Sequence, residues 1–297
     1  MIEINLPQIL INSVLTGSIY ALIAIGLTMV YRILKFANFS HAELVTFGAY
    51  MAYVVNVTLG LSLFIGIVFA FFLTGILGIV SDLLVFKQLR KKGSDVISLM
   101  IASIGLGLVI RHIIQQIWGA QIIWYNYSAE SHKFLTGRIT DLQIYIIISS
   151  LVLIFSLHLL FTKTKLGKAM RATSDNPYLA MACGINIERI IIWVWFIGAG
   201  VAGIGGVFRG ADTRLLPLLG WEVILPAFAV VILGGIGSFY GTILAAYILG
   251  FAENLGVILL GYLDISTGYR SAIAFIILII VLLVKPTGIM GLKEAGK

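Results

Sequence analysis

Read from its N-terminus, the chain alternates long apolar runs with short polar punctuation. Runs near the roughly 20 apolar residues that a helix needs to cross a bilayer occur at about residues 9–31, 42–58, 60–86, 96–118, 141–162, 189–208, 222–238, 240–260 and 271–285. These nine segments consume most of the chain, and the connections are too short for a soluble domain. The pattern predicts an all-α polytopic membrane protein forming a single transmembrane domain over residues 1–297. It has about 8–10 transmembrane helices, the nearly continuous pair 222–238 and 240–260 being the ambiguous place. The first run lacks a basic start and passes into the second without a cleavage pattern, so it reads as a span rather than a leader.

Composition agrees with the pattern: 60% of the 297 residues are hydrophobic and 11% charged, and the mean hydropathy is +1.07, far from a soluble domain. The net charge of +7 would suggest nucleic acid on a soluble chain, but its distribution changes that reading. With alternating spans, Arg111, Lys133, Arg138, Arg209, Arg214 and Arg270 lie at or beyond one side, and the rest of the 20 basic residues fall on the other. The basic side faces the cytoplasm, so the N-terminus is external, the C-terminus internal, and no nucleic-acid partner is implied. A lone cysteine, Cys183, permits no intrachain disulfide.

Polar groups inside so apolar a chain narrow the candidate chemistry. "NFSHAE" sets Asn38, Ser40, His41 and Glu43 between the first two spans. Ser40 and Glu43 have the S/T-x-x-E spacing of a capping box, which leaves Asn38 and His41 as the better candidates to face a translocation path. "GGIGS" places Gly234, Gly235 and Gly237 where a helix is expected to break, and irregular backbone at membrane depth survives only against protein or a wet cavity. A charge at the bilayer centre costs roughly 2.5–3.5 kcal/mol on insertion scales. Arg111 and Glu222 are read as near enough to span ends to snorkel, and Asp82 as a solvated interfacial residue. Glu253 is either a structural ion pair or hydrogen bond, or a pathway residue. Trp118, Trp124, Tyr125 and Tyr127 read as an external aromatic belt.

Enzyme signatures are missing: there is no H-E-x-x-H, no G-x-S-x-G, no His/Cys cluster with metal-ligand spacing and no G-x-x-x-x-G-K-[ST] phosphate loop. No catalytic residue, metal or cofactor is expected, and the chain cannot bind ATP by that device. The cytoplasmic loop 163–188 carries the strongest local signals. Asn176 as N-cap, Pro177 at the first helical position and Gly184 just past the end delimit a helix of about seven residues, Pro177–Cys183. Its apolar Tyr178, Leu179 and Met181 imply docking, either on the protein's own cytoplasmic ends or on a separate subunit.

Four stretches in order then resemble a known family: "GSIYALIAIGLTMVYRILKFANFSHAELVTFGAY", "GKAMRATSDNPYLAMACGI", "LPAFAVVILGGIGSFYGTILAAYILGFAEN" and "VKPTGIMG". Together they resemble branched-chain amino acid ABC transporter permeases of the shorter, H-type subunit (the high-affinity Liv family), over nearly the whole chain. The resemblance implies a type II ABC importer-like permease in the inner (cytoplasmic) membrane. Its implied partners are a second permease or second copy, two cytoplasmic ATPases that bind the ATP, and an external substrate-binding protein. It also implies that the loop helix couples to an ATPase, through Arg171, Ala172, Asn176, Pro177, Ala180 and Gly184. One departure is Ser40-His41-Ala42-Glu43, where the family usually has Ala-His-Gly-Glu, which bears on the local turn. The expected activity is translocation of leucine, isoleucine or valine. Urea, amides or other amino acids are the alternative within the class, and an ion-coupled secondary transporter using Glu43 and Glu253 the alternative outside it.

Overall fold

The computed structural model describes residues 5–134, 136–285 and 287–291. Every apolar run is helical over most of its length. Helix α1 (Leu6–Leu34) begins behind Asn5, whose side chain accepts from the Gln8 amide, and ends where Lys35 turns left-handed (φ 57°). Helix α2 (His41–Tyr53) runs on through a π turn, Val54–Thr58. Helix α3 (Leu63–Ser81) passes through a second π turn, Asp82–Phe86, into α4 (Lys87–Lys91). After α5 (Val96–Trp118) comes a hairpin of β1 (Ser131–Phe134) and β2 (Gly137–Thr140), paired antiparallel. Helix α6 (Asp141–Lys163) leads into α7 (Lys165–Asp175) and α8 (Pro177–Ala182). The chain then continues through α9 (Ile187–Asp212), α10 (Leu219–Gly234), α11 (Phe239–Tyr262) and α12 (Arg270–Val284).

Among the described residues, six helices are long and apolar enough to span a membrane, counting Leu63–Lys91 as one; α10 and α12 are shorter apolar helices. Helices α1 and α9 form the centre, buried along most of their length, while α5 and α6 expose most of theirs. The two central helices cross where Gly26 and Gly198 meet backbone to backbone, an approach that a side chain on either would obstruct. The connectivity repeats with opposite polarity. Helix, extended link and short helix recur as α1, 35–40, α2 and as α9, 213–218, α10. Helix α1 packs on α11 as α9 packs on α3, and α5 packs on α2 as α12 packs on α10. Because α1 and α9 run antiparallel, Gly198 meeting Gly26 and Gly205 meeting Ile23, the halves are inverted repeats, an architecture that places transport sites at the interface between repeats.

Three local expectations need correction. The "GGIGS" stretch is a tight turn between antiparallel α10 and α11, with Gly235 (φ 98°) and Gly237 (φ 80°) left-handed, and not a break inside a span. The C-terminal segment pins it there: the Ile289 amide donates to the Leu233 carbonyl and the Met290 amide to the Gly234 carbonyl. Asp82 is not solvated but buried in its π turn, holding Arg90 at 2.5 and 3.1 Å. The hairpin was absent from the all-α reading. It lies against the start of α1, where Asn5 Nδ2 donates to the Thr136 carbonyl (2.7 Å) and the Arg138 amide to Gln8 Oε1 (2.8 Å).

Candidate functional site

The polar stretch between α1 and α2 lies inside the membrane. His41 Nε2 meets the Ile23 carbonyl at 2.9 Å, and Ile23 stands eleven residues, about 16 Å at 1.5 Å per residue, above the cytoplasmic end of α1 at Leu34. Residues 35–40 therefore climb back into the protein before α2 begins at mid-depth. Helix α10 starts at the same level: the Gly220 amide donates to Thr46 Oγ1 (2.9 Å), and Gly220 lies so close to the Ala42 carbonyl that a Cβ there would overlap it. Tyr125 reaches down to the Ala49 carbonyl (2.9 Å), Tyr127 to the Ala211 carbonyl (2.7 Å), and Ile123 pairs with Leu215. Two half-helices thus meet in the bilayer with their N-termini, and hence their positive dipole ends, side by side.

The residues of the break are satisfied only in part by one another and by α5: among the described residues, the buried Asn38 Nδ2, His41 Nδ1 and Glu43 Oε2 have no hydrogen-bond partner. Ser40 Oγ donates to Asn38 Oδ1 (2.6 Å), and Ser103 Oγ accepts the Phe39 amide (3.0 Å). The capping box does not form: Ser40 is already helical in backbone (φ −64°, ψ −12°) and its hydroxyl is taken by Asn38. Instead the Glu43 carboxylate turns to α5, where Arg111 Nε donates to Oε1 at 2.9 Å and a second guanidinium nitrogen binds the same oxygen. Arg111 therefore does not snorkel. Its guanidinium lies 5.0 Å from the centre of the Trp221 ring on α10, a cation–π geometry. Ser103, Gly107 and Arg111, one turn apart along α5, bring that helix onto the break. Ala42 sits in ordinary right-handed helix, so the position that is glycine in the resembled family needs no special backbone here.

Asn38, Ser40, His41 and Glu43 are all buried within the chain. Beside them lies the polar surface that is open: Trp221 is 42% exposed, and the Glu222 side chain 43%, with Arg214 only at 4.0 Å. Glu222 does not sit at the end of a full span, because α10 begins at mid-depth. Glu253 realises the ion-pair alternative: buried, it accepts from the Tyr20 hydroxyl (3.0 Å) and from Arg270 Nε (3.0 Å), and Arg270 also donates to Thr16. Of the aromatics expected in an external belt, Trp124 is exposed, whereas Tyr125 is buried.

The loop helix forms as its caps dictate. Asn176 Oδ1 accepts the Leu179 amide (3.0 Å), Pro177 fills the first turn, and Gly184, at φ 82°, lets the Ile185 amide reach the Ala180 carbonyl. The helix closes one residue early, at Ala182. Ala180 is buried beneath it, while Tyr178, Leu179 and Met181 are 82%, 62% and 50% exposed, so the chain's own cytoplasmic ends do not cover them. Arg171 and Ala172 lie one helix earlier, half-buried on α7.

Sequence reasoning missed Arg111 as Glu43's partner, the second break at "TRLLPL" and the inward turn of Tyr125. A signal for the break existed, since Glu222 follows the start of α10 much as Glu43 follows that of α2.

Comparison with known proteins agrees with this architecture. The family model described as "Branched-chain amino acid transport system / permease component" matches residues 9–282. The chain is 31% identical to the high-affinity branched-chain amino acid transport system permease protein LivH of Salmonella typhimurium, and 30% identical to BraD of Pseudomonas aeruginosa. Each match covers 98% of this chain and 97% of the relative. It is 27% identical to the ribose import permease protein RbsC of Haemophilus influenzae, over 92% of this chain and 84% of that one. With matching motifs, inverted halves and near-complete coverage, the chain belongs to the permease family of branched-chain amino acid transport systems.

Proposed function

We propose that the chain imports branched-chain amino acids across the cytoplasmic membrane, driven by ATPases on partner chains. The translocation path runs along the surface formed by Arg111, Trp221 and Glu222. The observation that carries this reading is an ionisable side chain and an indole left open at mid-membrane depth. A charge facing lipid there would be costly, so the surface fits a water-filled path completed by a second permease. Asn38, Ser40 and His41 then support the break from behind, and Glu43 holds Arg111. The buried Glu253 network braces α1, α11 and α12. The naked apolar face of α8 suits a groove on the ATPase, with Asn176, Pro177 and Gly184 shaping the helix and Ala180 seating it.

The ribose permease among the relatives shows that this family's scaffold serves different cargoes, so substrate needs its own test. Uptake of labelled leucine should be measured in cells expressing the complete transporter, with isoleucine, valine, ribose and urea as competitors. Leucine uptake competed by isoleucine and valine, reduced at least tenfold by Glu222→Gln at unchanged membrane abundance, is the expected result. Competition by ribose or urea alone would overturn the substrate. Unaltered uptake by Glu222→Gln and Trp221→Ala would overturn the path. Uptake by this chain alone in proteoliposomes, driven by an ion gradient, would overturn the ATP-driven reading.

A further inference from the structure

We propose that the cytoplasmic face carries a binding site for a phosphate group, supplied by an anionic phospholipid of the inner leaflet. The site is a cavity of about 400 Å³ between the end of α1, the end of α6, α7 and the α10–α11 turn. Arg32, Lys35 and Arg171 converge on it from two helices and a cap. One carboxylate opposes them: Asp175, which also lines the cavity and is itself exposed, pairs with Arg32 at 3.6 Å, and Arg32 Nε is engaged by Ser174 Oγ (2.9 Å), leaving the lining net positive by two charges. Among the described residues, the Lys35 ammonium and the Arg171 guanidinium have no hydrogen bond or ion pair. Three cations around one cavity repel each other, so the arrangement calls for an anion. Phosphate matches it, because guanidinium groups bind phosphate oxygens in pairs and lysine adds a point charge.

The surroundings select a lipid as the source. Phe161, Ile236 and Phe239 wall the same cavity, so a ligand here has an apolar part to bury beside its anion. Along α6 and α11, Phe155, Leu159, Tyr240 and Leu244 are exposed and offer a track for acyl chains. The basic excess puts this end at the cytoplasmic headgroup level, where basic pockets between transmembrane helices recognise anionic lipid headgroups. The inference does not rest on the transport reading.

The test uses the full-length chain in detergent, with phosphatidylglycerol or phosphatidylcholine titrated in and the bound lipid counted by native mass spectrometry. The variant is Lys35→Gln/Arg171→Gln, which removes two cations without breaking a bond; Lys133→Gln/Arg138→Gln on the outer hairpin is the control. Wild type should retain phosphatidylglycerol over phosphatidylcholine, the cytoplasmic variant should hold it about 30-fold more weakly, and the control should match wild type. Equal retention of both lipids, or no loss in the variant, overturns the site. Occupancy by inorganic phosphate or ATP with no preference for phosphatidylglycerol overturns the lipid as its source.

Discussion

Arg111→Met puts the mid-membrane charge pair to a quantitative test. Methionine keeps an unbranched apolar stem on α5 and deletes the guanidinium, so packing changes little while Glu43, 1% exposed in its side chain, loses both N–H donors. Removing one partner of a buried pair costs about 3–5 kcal/mol. Glu43 lies in the first turn of α2, whose dipole returns about 0.3–1 kcal/mol, and Trp221 loses its cation, worth about 0.5–2 kcal/mol. The expected loss is about 4 kcal/mol. Glu43→Gln/Arg111→Met leaves neither charge of the pair and should recover most of it, apart from the Trp221 contribution, so the two substitutions are coupled by at least about 2–3 kcal/mol. Equilibrium unfolding in mixed detergent micelles, followed by tryptophan fluorescence, measures all four corners of the cycle. A loss below about 1 kcal/mol in Arg111→Met, or a double variant as unstable as the sum of the singles, refutes the claim that this pair is a desolvated unit.

The junction of the half-helices and the coupling face give two further tests. Gly220→Ala drives a methyl group into the Ala42 carbonyl, backbone against backbone, and should cost about 3 kcal/mol. Gly105→Ala, on α5 with open space around it, should cost nothing, and size-exclusion profiles after heating distinguish them. Tyr178→Ala, at an 82% exposed position, should leave the melting temperature unchanged, since surface substitutions stay within about 0.5 kcal/mol, yet abolish ATP-dependent uptake in the complete transporter. Retained uptake would remove α8 from coupling.

The helices were legible because lipid enforces a simple rule: a crossing segment is apolar and satisfies its own backbone. The first break was legible for the same reason, since Asn38, Ser40, His41 and Glu43 violate apolarity together. The second break escaped notice because Leu215, Leu216, Pro217 and Leu218 are apolar, and their irregular backbone is met by Ile123 from a loop more than ninety residues away. The capping box failed through competition: the motif scores Ser40 against the helix amides, while the folded chain offers Asn38 Oδ1 at 2.6 Å. Arg111 was misjudged because sequence gives depth along a span but not which neighbour faces it. Local signals fared best where the chain answers only to itself: Asn176, Pro177 and Gly184 define α8 within one residue.

The inverted halves sharpen the difference between their two glutamates. Glu43 and Glu222 both lie in the first turn of a half-helix that begins at mid-depth, so the fold alone would give them like surroundings. The partners differ. Helix α5 packs on α2 and presents Arg111 to Glu43; its counterpart α12 packs on α10, but its arginine, Arg270, is engaged by Glu253 and Thr16. Glu222 is left with Arg214 at 4.0 Å, both side chains about half exposed. A purely structural role would favour neutralising both carboxylates, since each is costly at that depth. The chain neutralises one and leaves the other open beside Trp221, and this departure from symmetry is what the proposed path along Trp221 and Glu222 requires, with the first half holding Arg111 in place.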